Sequence, residues 1–105
     1  METYVQVETT LGSREEAERI ADDLVGARLV ACAQIVCPVR SVYRWEGAVQ
    51  HDDEYLVLLK TRSGLLGDLE ERLAREHPYQ TPELLVFEVA GGAASYLEWL
   101  AQETA

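Results

Sequence analysis

The chain has 105 residues, 48% of them hydrophobic and 27% charged, which fits one domain over residues 1–105 and excludes a disordered polypeptide. Its formal net charge of −10 opposes phosphate backbones and anionic lipid, so neither nucleic acid nor a membrane surface is an expected partner. No apolar run approaches the ~18 residues of a membrane span, and METYVQVETT lacks the basic and apolar segments of an export signal. A cytoplasmic protein with reduced cysteines is expected.

Residues 3–9 alternate and are rich in Val and Thr, which predicts a strand. Ser13 opens a capping box with Glu16, and Ala17, Ile20, Ala21, Leu24 and Val25 follow at helical spacing. Gly26 is the expected C-terminal cap. Residues 32–45 read as extended, with a bulge or bend near Cys37-Pro38, where proline removes a ladder donor. Cys32 and Cys37, five positions apart, point to opposite faces of a strand, so no mutual disulfide is expected and Cys37 is expected to be buried. Glu46-Gly47 supplies a tight turn into a returning strand that ends in YLVLLKT at 55–61. His51, Asp52, Asp53 and Glu54 match neither an EF-hand loop nor an HExxH spacing and read as a solvated acidic loop. Leu65, Leu66, Leu69 and Leu73 form the apolar stripe of a second helix. Residues 83–89 make a last strand, and Gly91-Gly92 leads into a short helix with Tyr96, Leu97, Trp99 and Leu100.

The order β-α-β-β-α-β plus a helix is the ferredoxin-like α+β arrangement, with two helices on one face of an antiparallel sheet. Residues 55–61 are apolar on both faces, with Tyr55, Val57 and Leu59 on one and Leu56 and Leu58 on the other. Strands of that kind are normally covered on both sides, and a chain this short lacks the helices to do so. Another subunit is the expected cover.

The stretch EHPYQTPELL at 76–85 leaves two readings open for His77. It can cap the helix that Pro78 terminates, or it can act as a metal ligand or acid–base group. Cys32 is a soft-metal ligand or a core residue, and Lys60 needs an acceptor or solvent at the end of an apolar strand. Phosphate-binding glycine motifs, a GxSxG elbow and a CxxC pair are all missing. An acylphosphatase-type enzyme would need an arginine cradle after the first strand, where only Arg14 stands.

With those residues placed, the chain resembles the CutA divalent-cation tolerance family. The ordered matches are RLVAC at 28–32, SVYRWEG at 41–47, LKT at 59–61, HPY at 77–79 with Pro82-Glu83, and YLEWL at 96–100. The resemblance implies a non-enzymatic homotrimer similar in architecture to PII proteins, with clefts between subunits for a divalent metal ion or small ligand. In some members the metal is copper. Carried onto this chain, the family's proposed metal positions fall on Glu8, Glu76 and His77, a set without the thiolate that favours copper(I). Cys32, Lys60, Tyr79 and Trp45 are the implied cleft residues. The end of the first strand and the end of the second helix are expected at opposite ends of the sheet, so Glu8 would join His77 only across subunits. Cys37-Pro38 and Gln34 depart from the family pattern near the bend. The alternative function is a PII-like structural or regulatory trimer that docks a partner protein, with metal binding incidental.

Overall fold

A computed structural model describes residues 2–105. Val5, Val7, Thr9 and Leu11 are buried on one face of strand β1 (Tyr4–Leu11), while Gln6 and Glu8 alternate to the other. Helix α1 (Arg14–Gly26) buries Ala17, Ile20, Ala21 and Leu24 against the first of these faces. Strands β2 (Cys32–Trp45) and β3 (Ala48–Arg62) form a long hairpin, followed by a short 3-10 turn (Ser63–Leu65) and helix α2 (Leu66–Glu76). Strand β4 (Leu85–Glu88) and helix α3 (Ala94–Glu103) complete the chain. The antiparallel sheet has the order β2-β3-β1-β4. This is the ferredoxin-like arrangement predicted from the element order.

One core joins Val5, Val7 and Leu11 of β1 and Val57 and Leu59 of β3 to Ile20, Leu24, Leu69 and Leu73 of the two helices. Burying each such side chain contributes roughly 1.5–3 kcal/mol. The other face of the sheet carries Gln6, Glu8, Leu56, Leu58 and Lys60, with exposed Leu85 and Phe87 at the β4 edge. The hairpin continues past the sheet, giving the chain dimensions of 44 × 25 × 23 Å. Its tip turns at Glu46 and Gly47, both at positive φ (49° and 81°), the geometry that matches strand twist.

Several local expectations are corrected. Ser13 accepts the Glu16 N–H at 3.2 Å, but the Glu16 carboxylate leaves Oε2 without a partner, so only half of the capping box forms. Gly26 is not the left-handed residue that ends α1; Arg28 is, at φ 61°. Its guanidinium donates to the carbonyls of Gln102 and Glu103, so a side-chain clasp on α3 offsets the backbone strain. The bulge lies where Pro38 predicted it, between Val36 and Val39, and leaves Cys37 exposed instead of buried. Both cysteines are free. Residues 51–54 are not a loop: they belong to β3, with Asp53 opposite Arg40 and Asp52 opposite Ser41.

The expected separation of β1 and α2 is also overturned. β1 and α2 both run antiparallel to β3, so their C-terminal ends lie at the same end of the sheet. There His77 meets the carbonyl of Thr10.

Candidate functional site

His77 stands one residue past α2, where its extended backbone and Pro78 stop the helix while its N–H still reaches the Leu73 carbonyl at 2.8 Å. The ring is buried. Nδ1 accepts the Tyr79 N–H at 3.2 Å, which places the ring proton on Nε2, and Nε2 donates to Thr10 O at 2.9 Å. Burial of the imidazole, only partly countered by the Thr10 bond and the charges of Glu16 and Glu54, pulls its pKa below the ordinary histidine value. With both nitrogens engaged, no lone pair is free for a metal. Of the two roles open in the sequence, the structure displays the helix-ending one.

That clamp aims Tyr79. Its ring meets His77 edge-on at 4.8 Å, and its hydroxyl donates to Glu54 Oε2 at 2.8 Å. Burial and the Glu54 bond push the phenol's pKa well above the ordinary tyrosine value. Gly12 leaves the space, because a Cβ there would come within 3.3 Å of the Tyr79 hydroxyl. The pair forms one wall of a cavity of about 800 Å³ on the face of the sheet away from α1 and α2. Tyr43 and Trp45 of the hairpin line it too, with Asp52, Asp53, Glu54 and Glu83 as its carboxylates. Tyr43 donates to Asp52, and Arg40 pairs with Asp53 at 3.2 Å. Burial and the nearby charges of Glu8 and Glu54 raise the Glu83 pKa. No lysine, arginine or histidine lines the cavity. Aromatic faces and carboxylates without a basic residue favour a cation.

The predicted site residues divide into groups. Tyr79 and Trp45 share the cavity. Cys32 and Lys60 pair with each other four residues further along β3 than Leu56, about 13 Å away at strand spacing. There Lys60 Nζ donates to Gln34 Oε1, and the Tyr96 hydroxyl lies beside the Cys32 thiol. The metal trio does not converge within one chain. Glu8 faces away from the core, on the sheet face opposite Val7 and Thr9. Glu76 turns to Arg19, which reaches its carboxylate at 3.7 Å and its carbonyl at 3.1 Å. Among the described residues, no three His, Cys, Asp or Glu are disposed to hold one ion. A second cavity of about 340 Å³ borders His77, Leu73 and Pro82.

Glu54 was missed by sequence reasoning as a site residue. The available signal was parity: it precedes Leu56 and Leu58 on one face of β3, a carboxylate continuing an apolar row. Only the approach of Tyr79 from a distant segment makes it a cavity wall.

A ferredoxin-like domain with one sheet face free of helices α1 and α2 and an acidic, aromatic-lined cavity is the class that fold and site define. The chain belongs to the CutA1 divalent ion tolerance protein family, whose profile matches residues 5–103. It is 43% identical over 95 residues to the divalent-cation tolerance protein CutA of Thermus thermophilus, covering 90% of this chain and 92% of that one. Against the chloroplastic CutA protein of Arabidopsis thaliana it is 41% identical over 100 residues, covering 95% of this chain but 55% of the relative. The chain thus spans just over half the length of the plant relatives it matches. Among solved structures, Thermus thermophilus Cut A1 superposes with a TM-score of 0.91 at 42% identity, covering both chains completely. CutA1 of Oryza sativa gives 0.95 at 39% identity, covering 98% and 94%. Among the described residues, no helix is long and apolar enough to cross a membrane.

Proposed function

We propose that this protein is a cytoplasmic, non-enzymatic homotrimer that serves divalent-cation tolerance by binding a cation or small ligand in clefts between subunits. The observation that carries the reading is the cavity of about 800 Å³, where three aromatic rings and four carboxylates meet without a basic residue. Family membership supports the link to divalent cations, because the family is named for their tolerance. Exposed Leu85 and Phe87 on the uncovered sheet face support self-association, since an apolar face of this kind is stabilised by burial against a second copy. In the trimer, the cleft takes Tyr79 and Trp45 from one subunit, while Cys32 and Lys60 join it only from a neighbour. The set Glu8, Glu76 and His77 likewise requires residues from two subunits, and His77 must first release Tyr79 or Thr10. Copper or another divalent cation is the metal of this reading.

Val42 and Val49, at 60% and 53% exposure on the hairpin arm, favour a second reading, the PII-like trimer that docks a partner protein. Native mass spectrometry of the protein purified without chelator tests both, because it weighs the assembly and its cargo together. A trimer carrying a cation or small ligand supports the first reading. An empty trimer favours the second, and a stable, well-folded monomer sinks both.

A further inference from the structure

Helix α3 is joined to the rest of the chain differently from α1 and α2. Among the described residues, the core holds side chains of both other helices and none of α3, whose single buried residue is Leu100. Tyr96 and Trp99 are exposed, and no side chain caps the helix at Ala93. The lead-in through Gly91-Gly92 is exposed and lies outside helix and strand. A ten-residue helix is marginal in water by itself, so α3 depends on what holds it.

That hold is polar and gathered at one end. The last turn of α3 carries no basic residue of its own, and two guanidiniums from elsewhere reach its free carbonyls. Arg28, after α1, donates to Gln102 O at 2.6 Å and to Glu103 O at 3.3 Å, and its own carbonyl accepts the Ala105 N–H at 3.0 Å. Arg62, the last residue of β3, donates to Thr104 Oγ1 at 2.7 Å, Thr104 O at 3.2 Å and Ala105 O at 2.8 Å. Its Nη1 donates to Glu2 at 2.8 Å, and the other oxygen of that carboxylate accepts the Gly64 N–H at 3.2 Å. Arg62 is thereby fixed from both sides, and its side chain is only 21% exposed, so its charge-assisted bonds are partly withdrawn from water.

We propose that α3 is a strap that opens and closes as one unit on a sheet that stays folded, with Arg28 and Arg62 as its latch. Opening gives up the burial of Leu100 and the latch bonds, and it leaves every side chain of the core in place. Because the Tyr96 hydroxyl lies beside the Cys32 thiol, opening also removes the strap from the Cys32–Lys60 pair. The device is built from contacts within one chain and is independent of what the large cavity takes.

Hydrogen–deuterium exchange of the full chain, read by mass spectrometry at low and high protein concentration, tests this. Peptides from α3 should exchange about a hundredfold faster than those from β1 and the core part of β3, at both concentrations. Arg62→Gln and Arg28→Gly should each speed α3 exchange about tenfold further and leave β1 unchanged. Arg28→Gly also relieves the left-handed backbone, so it keeps the test open if Arg62→Gln does not fold. Equal protection of α3 and β1, or substitutions that speed both alike, would show that α3 opens only with the whole chain and overturn the proposal. Protection of α3 that rises with protein concentration would mean that a neighbouring copy holds the helix, and it overturns the proposal too. Exchange of α3 unchanged by both substitutions removes the latch and the strap with it.

Discussion

Tyr79 donates its phenol to Glu54 across 2.8 Å, tying the segment after α2 to the middle of β3. The two residues lie 25 positions apart in the chain, and His77 Nδ1 accepts the Tyr79 N–H beside them. Fold and cavity are therefore coupled through one side chain.

Replacing Tyr79 with Phe leaves a nearly buried carboxylate oxygen without its donor. The expected loss of stability is about 1–3 kcal/mol, read from urea denaturation. The same variant should lose the highest-pH component of an ultraviolet tyrosine titration. In the folded protein burial and the Glu54 bond hold this phenol's pKa well above that of an unfolded tyrosine, which is about 10. Between those values the unfolded chain has lost the proton and the folded chain keeps it. Stability therefore falls as pH rises through this window, and Tyr79→Phe should flatten the fall.

His77 produces the opposite slope on the acid side. Its folded pKa lies below the unfolded value of about 6.5, so the unfolded chain takes up the proton first as pH drops. Stability contributed by the neutral ring is complete above about 6.5 and is lost as pH falls towards the folded pKa. A proton arriving at Nδ1 would face the Tyr79 N–H, donor against donor. Denaturation midpoints between pH 7 and 5.5 should decline in the wild type and decline less in His77→Gln. Nitrogen chemical shifts should report the Nε2–H tautomer at neutral pH; an Nδ1–H tautomer would contradict the clamp.

Arg28 holds the left-handed position after α1 and clasps the end of α3. Arg28→Ala loses the clasp and keeps the strain, whereas Arg28→Gly loses the clasp and removes the strain. The glycine variant should be the more stable of the two by roughly 1 kcal/mol. Thermal melts of both beside the wild type measure the difference. Equal melting would mean that the backbone strain is negligible.

Cys37 is exposed at the bulge and Cys32 is half-buried beside Lys60 and Tyr96. A thiol reagent should modify Cys37 first in the native protein, and Cys37→Ser should abolish that fast phase. Because no disulfide forms, a reducing agent should leave the melting temperature unchanged. A marked drop would contradict the placement of the two thiols.

Local and periodic features were legible in the chain alone. Alternation in residues 3–9, the Ser13 cap, the helical stripes, the bulge at Pro38 and the Glu46-Gly47 turn each depend on neighbours a few positions away. Together they specified the ferredoxin-like order, and five ordered motifs placed the chain in its family. What the tertiary structure decided were matters of face, edge and long-range contact. Residues 51–54 extend β3 because the opposite strand pairs with them, a partner that composition does not reveal. Arg28, not Gly26, takes the strained backbone because α3 returns from 74 residues away to meet its guanidinium. The ring of His77 is closed by Thr10, 67 positions earlier, and Glu54 becomes a cavity wall only when Tyr79 arrives above it. Periodicity records which side of an element is apolar, but not which distant polar group will stand opposite, since packing sets that only after the core has formed.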